Sequence, residues 1–316
     1  MTNSLRDRWG LQALQQALQA VEPGLELEAV ESIDSTNTAL LQRAAAMRSA
    51  GTPGAAENPD TPPHWPTRLL VAERQTQGRG RQGRTWQAQP GSSLTFSLAL
   101  LLAPQDWSGL SLAVGVALAD ALDGEPEPAR DAAPATATGP RIGLKWPNDL
   151  WLRDDQAPAG GRKLGGVLIE TSAWVGPGPV GGAVTAPAAP RICVIGVGLN
   201  IGPQAVEEAS SGVAWVQELL PGAPPHKVLA RVAAPLLRAV RRFEQQGFSE
   251  LASAFARRDL LQGQAVSTTL TDLPMGTAQG VDDTGALKVL TPDGALRTVV
   301  GGEVSIRLQP KGPACA

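Results

Sequence analysis

The chain contains 316 residues and carries a formal net charge of −3, so it is long enough for one large domain beside a small one and has no general attraction to nucleic acid or acidic membranes. Its 2 histidines and its lack of tyrosine argue against a histidine-ligated metal, a Ser–His catalytic pair and a tyrosine acid or base. Any chemistry must therefore rest on charge, on geometry or on a bound cation.

The first hundred residues predict a helix, a strand and a second helix, followed by two more strands. Four polar residues at 34–37 precede the second helix, as expected of an N-cap. The predicted elements are a helix over 4–20, a strand over 25–33, a helix over 38–47, and strands over 68–73 and 94–102. The N-terminus lacks the apolar core of a signal peptide, and the most apolar stretch, 94–103, is too short to span a bilayer, so we expect a cytoplasmic protein.

In the rest of the chain, strands and helices are interleaved without strict βαβ alternation. This pattern predicts the α+β class, with a mixed central sheet flanked by helices. The predicted elements are helices over 110–122, 228–246 and 249–260 and strands over 141–146, 167–171 and 192–201. From Gly263 onwards, short strands with turns at 283–285 and 292–294 predict a small, barrel-like β module.

Three segments rich in Pro, Ala and Gly have the composition of surface insertions, and we assign them no role. They cover residues 49–66, 124–140 and 174–190. The cysteines, Cys193 and Cys315, lie far apart, and Cys193 falls in an apolar run, so we expect a buried thiol and no disulfide framework. The histidines, His64 and His226, are both predicted to lie in proline-containing loops.

The loop over residues 73–93 is the most informative part of the chain because it combines glycine with fixed positive charge. Its central residues are Gly78, Gly80 and Gly83, with Arg79, Arg81 and Arg84 between and after them. Glycine lets a backbone approach a ligand closely, and arginine supplies planar donors that match carboxylates and phosphates. The loop therefore predicts an anion site, with a solvated basic hairpin or a nucleic-acid patch as the alternatives.

The glycines of this loop also match G-x-G-x-x-G, but the surrounding sequence excludes a dinucleotide-binding motif. That motif needs a helix that opens inside it, since the helix N-terminus holds the pyrophosphate. Here the alternating pattern of a strand, residues 94–98, follows instead. No Gly-Lys-Ser/Thr ending is present either, so a P-loop is excluded as well.

Each of the other polar motifs has an ordinary structural interpretation when it is taken alone. Ser35 and Thr36 suit a helix cap, and Asn148 with Asp149 suits a turn. Lys163 could be an exposed loop lysine, and Asn200 could simply close a strand. Trp86 and Trp146 could be aromatic residues of the core or its rim.

Taken together and in order, however, five motifs resemble biotin protein ligase, also called biotin–[acetyl-CoA-carboxylase] ligase. They are D-S-T-N at 34–37, G-R-G-R-Q-G-R-T-W at 78–86 with Gln75 before it, K-W-P-N-D at 145–149, K-L-G-G-V-L-I-E at 163–170 and I-G-V-G-L-N at 195–200. The resemblance begins near residue 26 and continues to the end of the chain. There, R-D-L-L at 258–261, V-D-D-T-G-A-L at 281–287 and G-G-E-V-S-I-R at 301–307 are similar to the C-terminal domain of that family.

The resemblance implies a fold and a reaction. The fold is the class II synthetase-like catalytic domain of biotin and lipoate ligases over residues 1–262, with an SH3-like β domain over 263–316. The reaction joins biotin and MgATP into biotinyl-5′-AMP and then transfers biotin to a specific lysine of a biotin carboxyl carrier protein domain. Because biotin's carboxylate and the partner's lysine are the nucleophiles, the enzyme needs none of its own, which fits the shortage of His, Cys and Tyr candidates.

The family motifs also imply roles for individual residues around biotin. Lys163 bridges the biotin carboxylate and the α-phosphate, and Arg79 lies over both groups; these are the two expected catalytic residues. The remaining biotin-binding residues are Ser35, Thr36, Asn37 and Gln75 at the ureido ring, Gly78 and Gly166 through their backbones, and Trp146 along the biotin tail.

A second set of residues is expected to bind ATP and the adenylate. Besides Arg79, it comprises Arg81, Arg84, Trp86, Asn200 and, from the C-terminal tail, Arg307. Asp149 is expected to order magnesium or the incoming lysine.

The partners expected from the sequence are few. About 25 residues precede the first core strand, too few for the winged helix-turn-helix of some family members, so we expect no binding to DNA. We also expect a monomer or a homodimer. The nearest rival function is a lipoate ligase or related acyltransferase of the same fold. The second rival is a nucleic-acid-binding module that would use the arginine–glycine loop on phosphates.

Overall fold

The fold is that of a computed structural model, which describes residues 5–49, 65–123, 141–157, 160–174, 189–204, 212–301 and 306–308. The described residues form two sheets and six α-helices. The segment 124–140 lies outside the described residues, as do most of 49–66 and 174–190, so their interpretation as insertions stays a prediction. None of the described helices combines the length and the apolar character that crossing a bilayer requires.

The larger sheet has seven strands and is mixed. They are β1 (Glu26–Ile33), β2 (Arg68–Gln75), β3 (Ser93–Leu102), β4 (Ile142–Lys145), β5 (Asp149–Arg153), β6 (Gly161–Ala173) and β7 (Arg191–Asn200). Their spatial order is β1-β2-β3-β7-β6-β5-β4, with β1 parallel to β2 and every other neighbouring pair antiparallel. The predicted α+β class with a mixed central sheet is confirmed.

Helices cover both faces of this sheet. They are α1 (Leu5–Arg8), α2 (Leu11–Gln19), α3 (Thr36–Ser49), α4 (Leu110–Asp123), α5 (Pro225–Gln246) and α6 (Ala252–Arg258). Strand β3 is buried along its whole length, and its alternate residues serve two cores. Phe96 and Leu98 join the large core with α4 and α5, whereas Ala99 and Leu101 join a smaller core with Leu40 of α3. This period of two is the reason that β3 reads as a strand.

Several element boundaries differ from the sequence-based prediction. The predicted helix over 4–20 is broken in two at Gly10, whose φ of 58° is left-handed. Helix α3 begins at Thr36, two residues early, and α5 begins at Pro225, so His226 lies in the first turn of a helix rather than in a loop. The last predicted helix, over 249–260, consists of a 3-10 turn followed by α6.

The C-terminal part forms a five-stranded antiparallel sheet, as predicted. Its strands are β8 (Ala265–Thr268), β9 (Met275–Val281), β10 (Leu287–Leu290), β11 (Leu296–Val299) and β12 (Ile306–Leu308), in the order β11-β10-β9-β8-β12. The fully buried side chain of Arg258 precedes this sheet and forms ion pairs with Asp120 and Asp123 of α4. The indole N–H of Trp146 donates to the Gly285 carbonyl at 3.0 Å. The ion pairs of Arg258 join α6 to α4, and the Trp146–Gly285 hydrogen bond joins a turn of the small sheet to the K-W-P-N-D motif.

Cys193 lies in β7 and is fully buried, as expected for a core thiol. Burial raises the pKa of its thiol and keeps it protonated. Cys315 and His64 lie outside the described residues.

Candidate active site

A cavity of about 1160 Å³ opens at one end of the large sheet, and all five motifs contribute to its lining. The basic loop covers one side of it, and β12 of the small sheet reaches its rim. The predicted site residues that line it are Ser35, Thr36, Asn37, Gln75, Arg79, Arg81, Arg84, Trp86, Trp146, Asp149, Lys163, Gly166, Asn200 and Arg307. The fold thus brings into one cavity residues that are more than 270 positions apart in the sequence.

Gly78 is the exception among the predicted site residues. Its carbonyl accepts a hydrogen bond from the Trp86 N–H at 2.9 Å, and a Cβ on Gly78 would lie 2.2 Å from the Trp86 carbonyl oxygen. The glycine is therefore required for the two arms of the basic loop to approach each other closely. Gly78 is not among the residues that line the cavity, and its expected backbone contact beside biotin stays a prediction.

Buried hydroxyl and amide groups form one end of the cavity. The Thr36 backbone N–H and hydroxyl both donate to Gln75 Oε1, at 2.7 and 3.0 Å. Ser97 Oγ lies 2.7 Å from Thr36 Oγ1 and 2.6 Å from Asn37 Oδ1. The Thr38 N–H donates to Ser35 Oγ at 3.4 Å, so the helix-cap interpretation of Ser35 holds alongside its place in the cavity. We call Ser35, Thr36, Asn37, Gln75 and Ser97 the polar floor.

Sequence reasoning missed Ser97. Its side chain is fully buried in β3, which also carries the buried hydroxyl residues Ser93 and Thr95. A buried hydroxyl requires hydrogen-bond partners, but three hydroxyl residues in one strand do not indicate which of them reaches the site.

The basic loop folds as a small hairpin with Arg79 at the cavity. Gly80 N–H donates to the Arg84 carbonyl at 2.7 Å, and Arg79 forms a β-bridge with Thr85. Arg79 is half-exposed; its Nη2 donates to Glu170 Oε1 at 2.7 Å and its Nη1 to Thr38 Oγ1 at 3.2 Å. Its guanidinium therefore lies between the loop, α3 and β6.

A lysine–aspartate ion pair forms one wall of the cavity together with Gly166. Lys163 Nζ donates to Asp149 Oδ1 at 2.8 Å, and a Cβ on Gly166 would lie only 3.1 Å from that oxygen. The absence of a side chain at Gly166 therefore leaves room for the pair. The predicted strand over 167–171 is longer than expected: Lys163 and Gly166 lie within β6 itself, where a strand rather than a loop fixes their direction.

Two further predicted residues are held close to this wall. Arg81 Nη1 donates to Asn148 Oδ1 at 3.0 Å, which ties the basic loop to the K-W-P-N-D turn. Asn200 is buried, and its Nδ2 donates to the Lys163 carbonyl at 3.2 Å. Asn200 thus closes β7 against β6 and also lines the cavity.

Trp86 and the glycines of β7 form a flat surface within the cavity. A Cβ on Gly198 would lie 2.4 Å from the Trp86 ring, so the indole packs directly on the bare backbone of β7. Gly198 thus permits a close approach to this strand. The indole N–H of Trp86 is buried and has no hydrogen-bond partner among the described residues.

Lys145 lines the cavity and has no role assigned from the sequence, although it begins the K-W-P-N-D motif. Its Nζ lies 4.8 Å from the centre of the Trp151 ring. Burial lowers the pKa of Lys145, Asp149 opposes this shift, and the positive charge of Lys163 adds to it. The lowered pKa reflects burial first and the neighbouring cations second.

The cavity as a whole is arranged to bind an anion with several charges beside a neutral polar group. Its cationic residues are Arg79, Arg81, Arg84, Lys145, Lys163 and Arg307. The polar floor, by contrast, presents uncharged donors and acceptors. Fixed cations of this kind hold phosphate groups and stabilise charge that develops during a reaction.

Sequence comparisons agree with this chemistry. Residues 30–177 match the biotin/lipoate A/B protein ligase family, and residues 263–307 match the biotin protein ligase C-terminal domain. The chain is 32% identical over 291 residues to the biotin–[acetyl-CoA-carboxylase] ligase of Mycobacterium tuberculosis, and the match covers 88% of each chain. The chain belongs to the biotin protein ligase family. The chain is also similar to the bifunctional ligase/repressor BirA of Salmonella typhimurium, with 31% identity over 280 residues. This match covers 87% of the chain and 72% of BirA.

Solved structures show the same fold. The biotin protein ligase from Aquifex aeolicus in complex with biotin and ATP superposes with a TM-score of 0.61 at 24% identity. The match covers 90% of this chain and 99% of the Aquifex chain. The mixed sheet with its small C-terminal sheet is therefore the fold of biotin protein ligases.

Proposed function

We propose that this protein activates biotin with ATP to biotinyl-5′-AMP and then transfers biotin to a specific lysine of a biotin carboxyl carrier protein domain. The observation that carries the proposal is the joint placement of the uncharged polar floor and of the cations around Lys163 in one cavity. Family membership supports it, and relatives of the chain are named biotin–[acetyl-CoA-carboxylase] ligases.

The polar floor is suited to the ureido ring of biotin. That ring carries two N–H donors and one carbonyl acceptor, and buried hydroxyl and amide groups can pair with both kinds of atom. We assign Ser35, Thr36, Asn37 and Gln75 to this contact. Gly166 lies beside Lys163 and Asp149, where its bare backbone leaves space for the biotin tail. Trp146 contributes apolar surface to the same cavity.

Adenylation needs the biotin carboxylate and the α-phosphate of ATP within reacting distance. A carboxylate oxygen attacks the α-phosphorus, the bond to the pyrophosphate oxygen breaks, and pyrophosphate leaves. Lys163 and Arg79 both line the cavity, so their charges would offset the repulsion between two anions and the charge that develops on the phosphate. We therefore assign both residues as catalytic.

The nucleotide is assigned to the side of the cavity that Trp86 covers. The indole gives a flat surface and a free N–H, and Arg81 and Arg84 follow along the same loop. Asn200 lies on the neighbouring strand, and Arg307 reaches the rim from β12. Arg307 is the assigned contact to the outer phosphates, which would make the small sheet part of the active site.

Magnesium is assigned to the neighbourhood of Asp149. Mg²⁺ sites in nucleotide enzymes use one or two carboxylates together with substrate phosphates. The described residues contain no cluster of three or more His, Cys, Asp or Glu for a metal, which leaves a single carboxylate of this kind as the fitting arrangement. When bound, the ion would neutralise charge on the phosphates.

In the second step, the amine of the acceptor lysine attacks the carbonyl carbon of biotinyl-5′-AMP. A C–N bond forms, the C–O bond to the phosphate breaks, and AMP leaves. We propose that the chain divides into a catalytic domain over 1–262 and a β domain over 263–316, since the first strand of the small sheet begins at Ala265.

Exchange of labelled pyrophosphate into ATP tests the first step, with biotin and lipoate supplied separately. Biotin-dependent exchange, followed by labelling of a purified apo-carrier domain, is the expected result. Exchange that occurs with lipoate and not with biotin would reverse the assignment in favour of a lipoate ligase. Tight, salt-sensitive binding of DNA without exchange would favour the nucleic-acid alternative.

A further inference from the structure

We propose that Glu170 is a positioning residue that holds Arg79 over the biotin end of the cavity and couples it to the polar floor. The proposal rests on the proposed function, because it concerns how biotin and its adenylate are retained. Glu170 ends the K-L-G-G-V-L-I-E motif, and nothing in the chemistry above assigns it a role.

The first part of the geometry concerns Arg79. Its side chain is 46% exposed, whereas Glu170 is only 22% exposed, so the carboxylate is the better-fixed partner of the two. Arg79 Nη2 donates to Glu170 Oε1 at 2.7 Å, and Nη1 donates to Thr38 Oγ1 at 3.2 Å. A guanidinium has five N–H donors, so donors remain for a ligand after these two bonds.

The second part concerns the other oxygen of Glu170. Glu170 Oε2 accepts a hydrogen bond from Asn37 Nδ2 at 2.9 Å. Asn37 Oδ1 lies 2.6 Å from Ser97 Oγ, which in turn lies 2.7 Å from Thr36 Oγ1. A continuous chain of hydrogen bonds thus runs from Arg79 through Glu170 to the polar floor.

Only an ionised carboxylate satisfies both of its donors here. Arg79 and Asn37 each present an N–H to a different oxygen of Glu170. Glutamine has only one acceptor oxygen, so its amide could accept from one of the two donors and would present its own N–H groups to the other. A Glu170→Gln substitution therefore breaks one end of the chain at almost unchanged side-chain volume.

The arrangement reduces the freedom of a glycine-rich loop before ligand arrives. A loop that is already held in place loses less conformational entropy when it closes on the adenylate. Since Asn37 belongs to the polar floor, occupation of that floor and the position of Arg79 are coupled through Glu170. Loss of Glu170 should therefore weaken retention of biotinyl-5′-AMP much as loss of Arg79 does, but to a smaller degree.

The test compares the wild type with E170Q, E170A, R79A and the double variant R79A/E170A. The dissociation rate of biotinyl-5′-AMP is measured by chasing labelled adenylate with unlabelled biotin and ATP. We expect E170Q and E170A to release the adenylate roughly threefold to tenfold faster, as for loss of one partly exposed charged hydrogen bond, with the KM for biotin raised and the KM for ATP unchanged. In the R79A background, E170A should add clearly less than it does in the wild type, because the contact to Arg79 is already lost and only the contact to Asn37 remains to be removed.

Glu28→Gln is the matched control, since it removes a comparable Arg–Glu ion pair, with Arg43, on the outside of the protein. It should leave the dissociation rate unchanged. Thermal unfolding identifies any variant that fails to fold, and E170Q keeps the test valid if E170A is unstable. Wild-type release rates in both E170Q and E170A, or a full additional effect of E170A in R79A, would overturn the role of Glu170. Failure of the wild type to form biotinyl-5′-AMP would instead overturn the proposed function.

Discussion

Lys163 and Asp149 lie on neighbouring strands, and their ammonium and carboxylate groups are 2.8 Å apart at the cavity wall. Both side chains are partly buried, and the bare backbone of Gly166 leaves the pair open to the cavity. The carboxylate therefore orients the lysine without blocking its approach to an anion. If magnesium binds beside Asp149, this carboxylate would help to hold the ion and Lys163 would remain a donor to the phosphates.

Lys163→Ala should suppress adenylate formation by about 100-fold or more, because one fixed donor to developing charge is worth ~3–4 kcal/mol of barrier. Single-turnover formation of biotinyl-5′-AMP is the measurement. Lys227→Ala, at an exposed position of α5, is the control and should keep the wild-type rate. An unchanged rate in the Lys163 variant would remove this residue from the mechanism.

Arg79→Gly should release biotinyl-5′-AMP from the cavity before transfer. Free adenylate acylates lysines without selection, so added proteins that are not carriers should become labelled. Streptavidin detection of biotin on a bystander protein measures this effect, with the exposed Arg242→Gly variant as the control. Wild-type retention of the adenylate would show that Arg79 does not hold it.

Much of this site could be predicted from the sequence because its motifs are local and ordered. The loop with Arg79 and the segment with Lys163 each place their side chains through a few adjacent residues. Their convergence in one cavity followed only from the family resemblance, since it depends on the strand order of the large sheet.

The residues that were missed depend on contacts between distant strands. Ser97 and Glu170 have no local signal of function, because their partners lie 60 and 91 positions away along the chain. Their proximity requires the pairing of β3 with β7 and of β7 with β6 in one register. The break at Gly10 was missed for another reason: a single left-handed residue interrupts an otherwise helical apolar pattern.

Gly198→Ala should weaken ATP binding while leaving biotin binding largely intact. The new Cβ would lie 2.4 Å from the Trp86 ring, so the indole must move off the surface of β7. We expect a rise in the KM for ATP of tenfold or more, on the order of 1.4 kcal/mol of lost binding. Calorimetric titrations with biotin and with ATP separate the two effects. Equal losses for both ligands would indicate general damage to the site instead.

Asp259→Asn should change how the stability of the protein depends on pH. Asp259 follows the buried Arg258 at the start of the C-terminal part; burial raises the pKa of its carboxyl to about 6, and its Oδ2 has no hydrogen-bond partner among the described residues. Between its usual pKa of 3.8 and about 6, the folded state holds a proton that the unfolded state has lost. The free energy of unfolding that this group contributes therefore falls as the pH rises through that window.

Asparagine carries no charge at any pH, so the variant lacks this loss. The difference in free energy of unfolding between Asp259→Asn and the wild type should shift in favour of the variant as the pH rises from 4 to 7.5. The shift should reach up to about 3 kcal/mol, at 1.36 kcal/mol for each unit of pKa shift. Urea unfolding of both proteins at the two pH values measures the difference. Asp283→Asn, at an exposed turn position, is the control and should show no such change. If the stability of the Asp259 variant relative to the wild type were the same at both pH values, this carboxyl would be ionised in the folded protein throughout the window. In that case the charge of Arg153, which favours the ionised form, would outweigh the effect of burial.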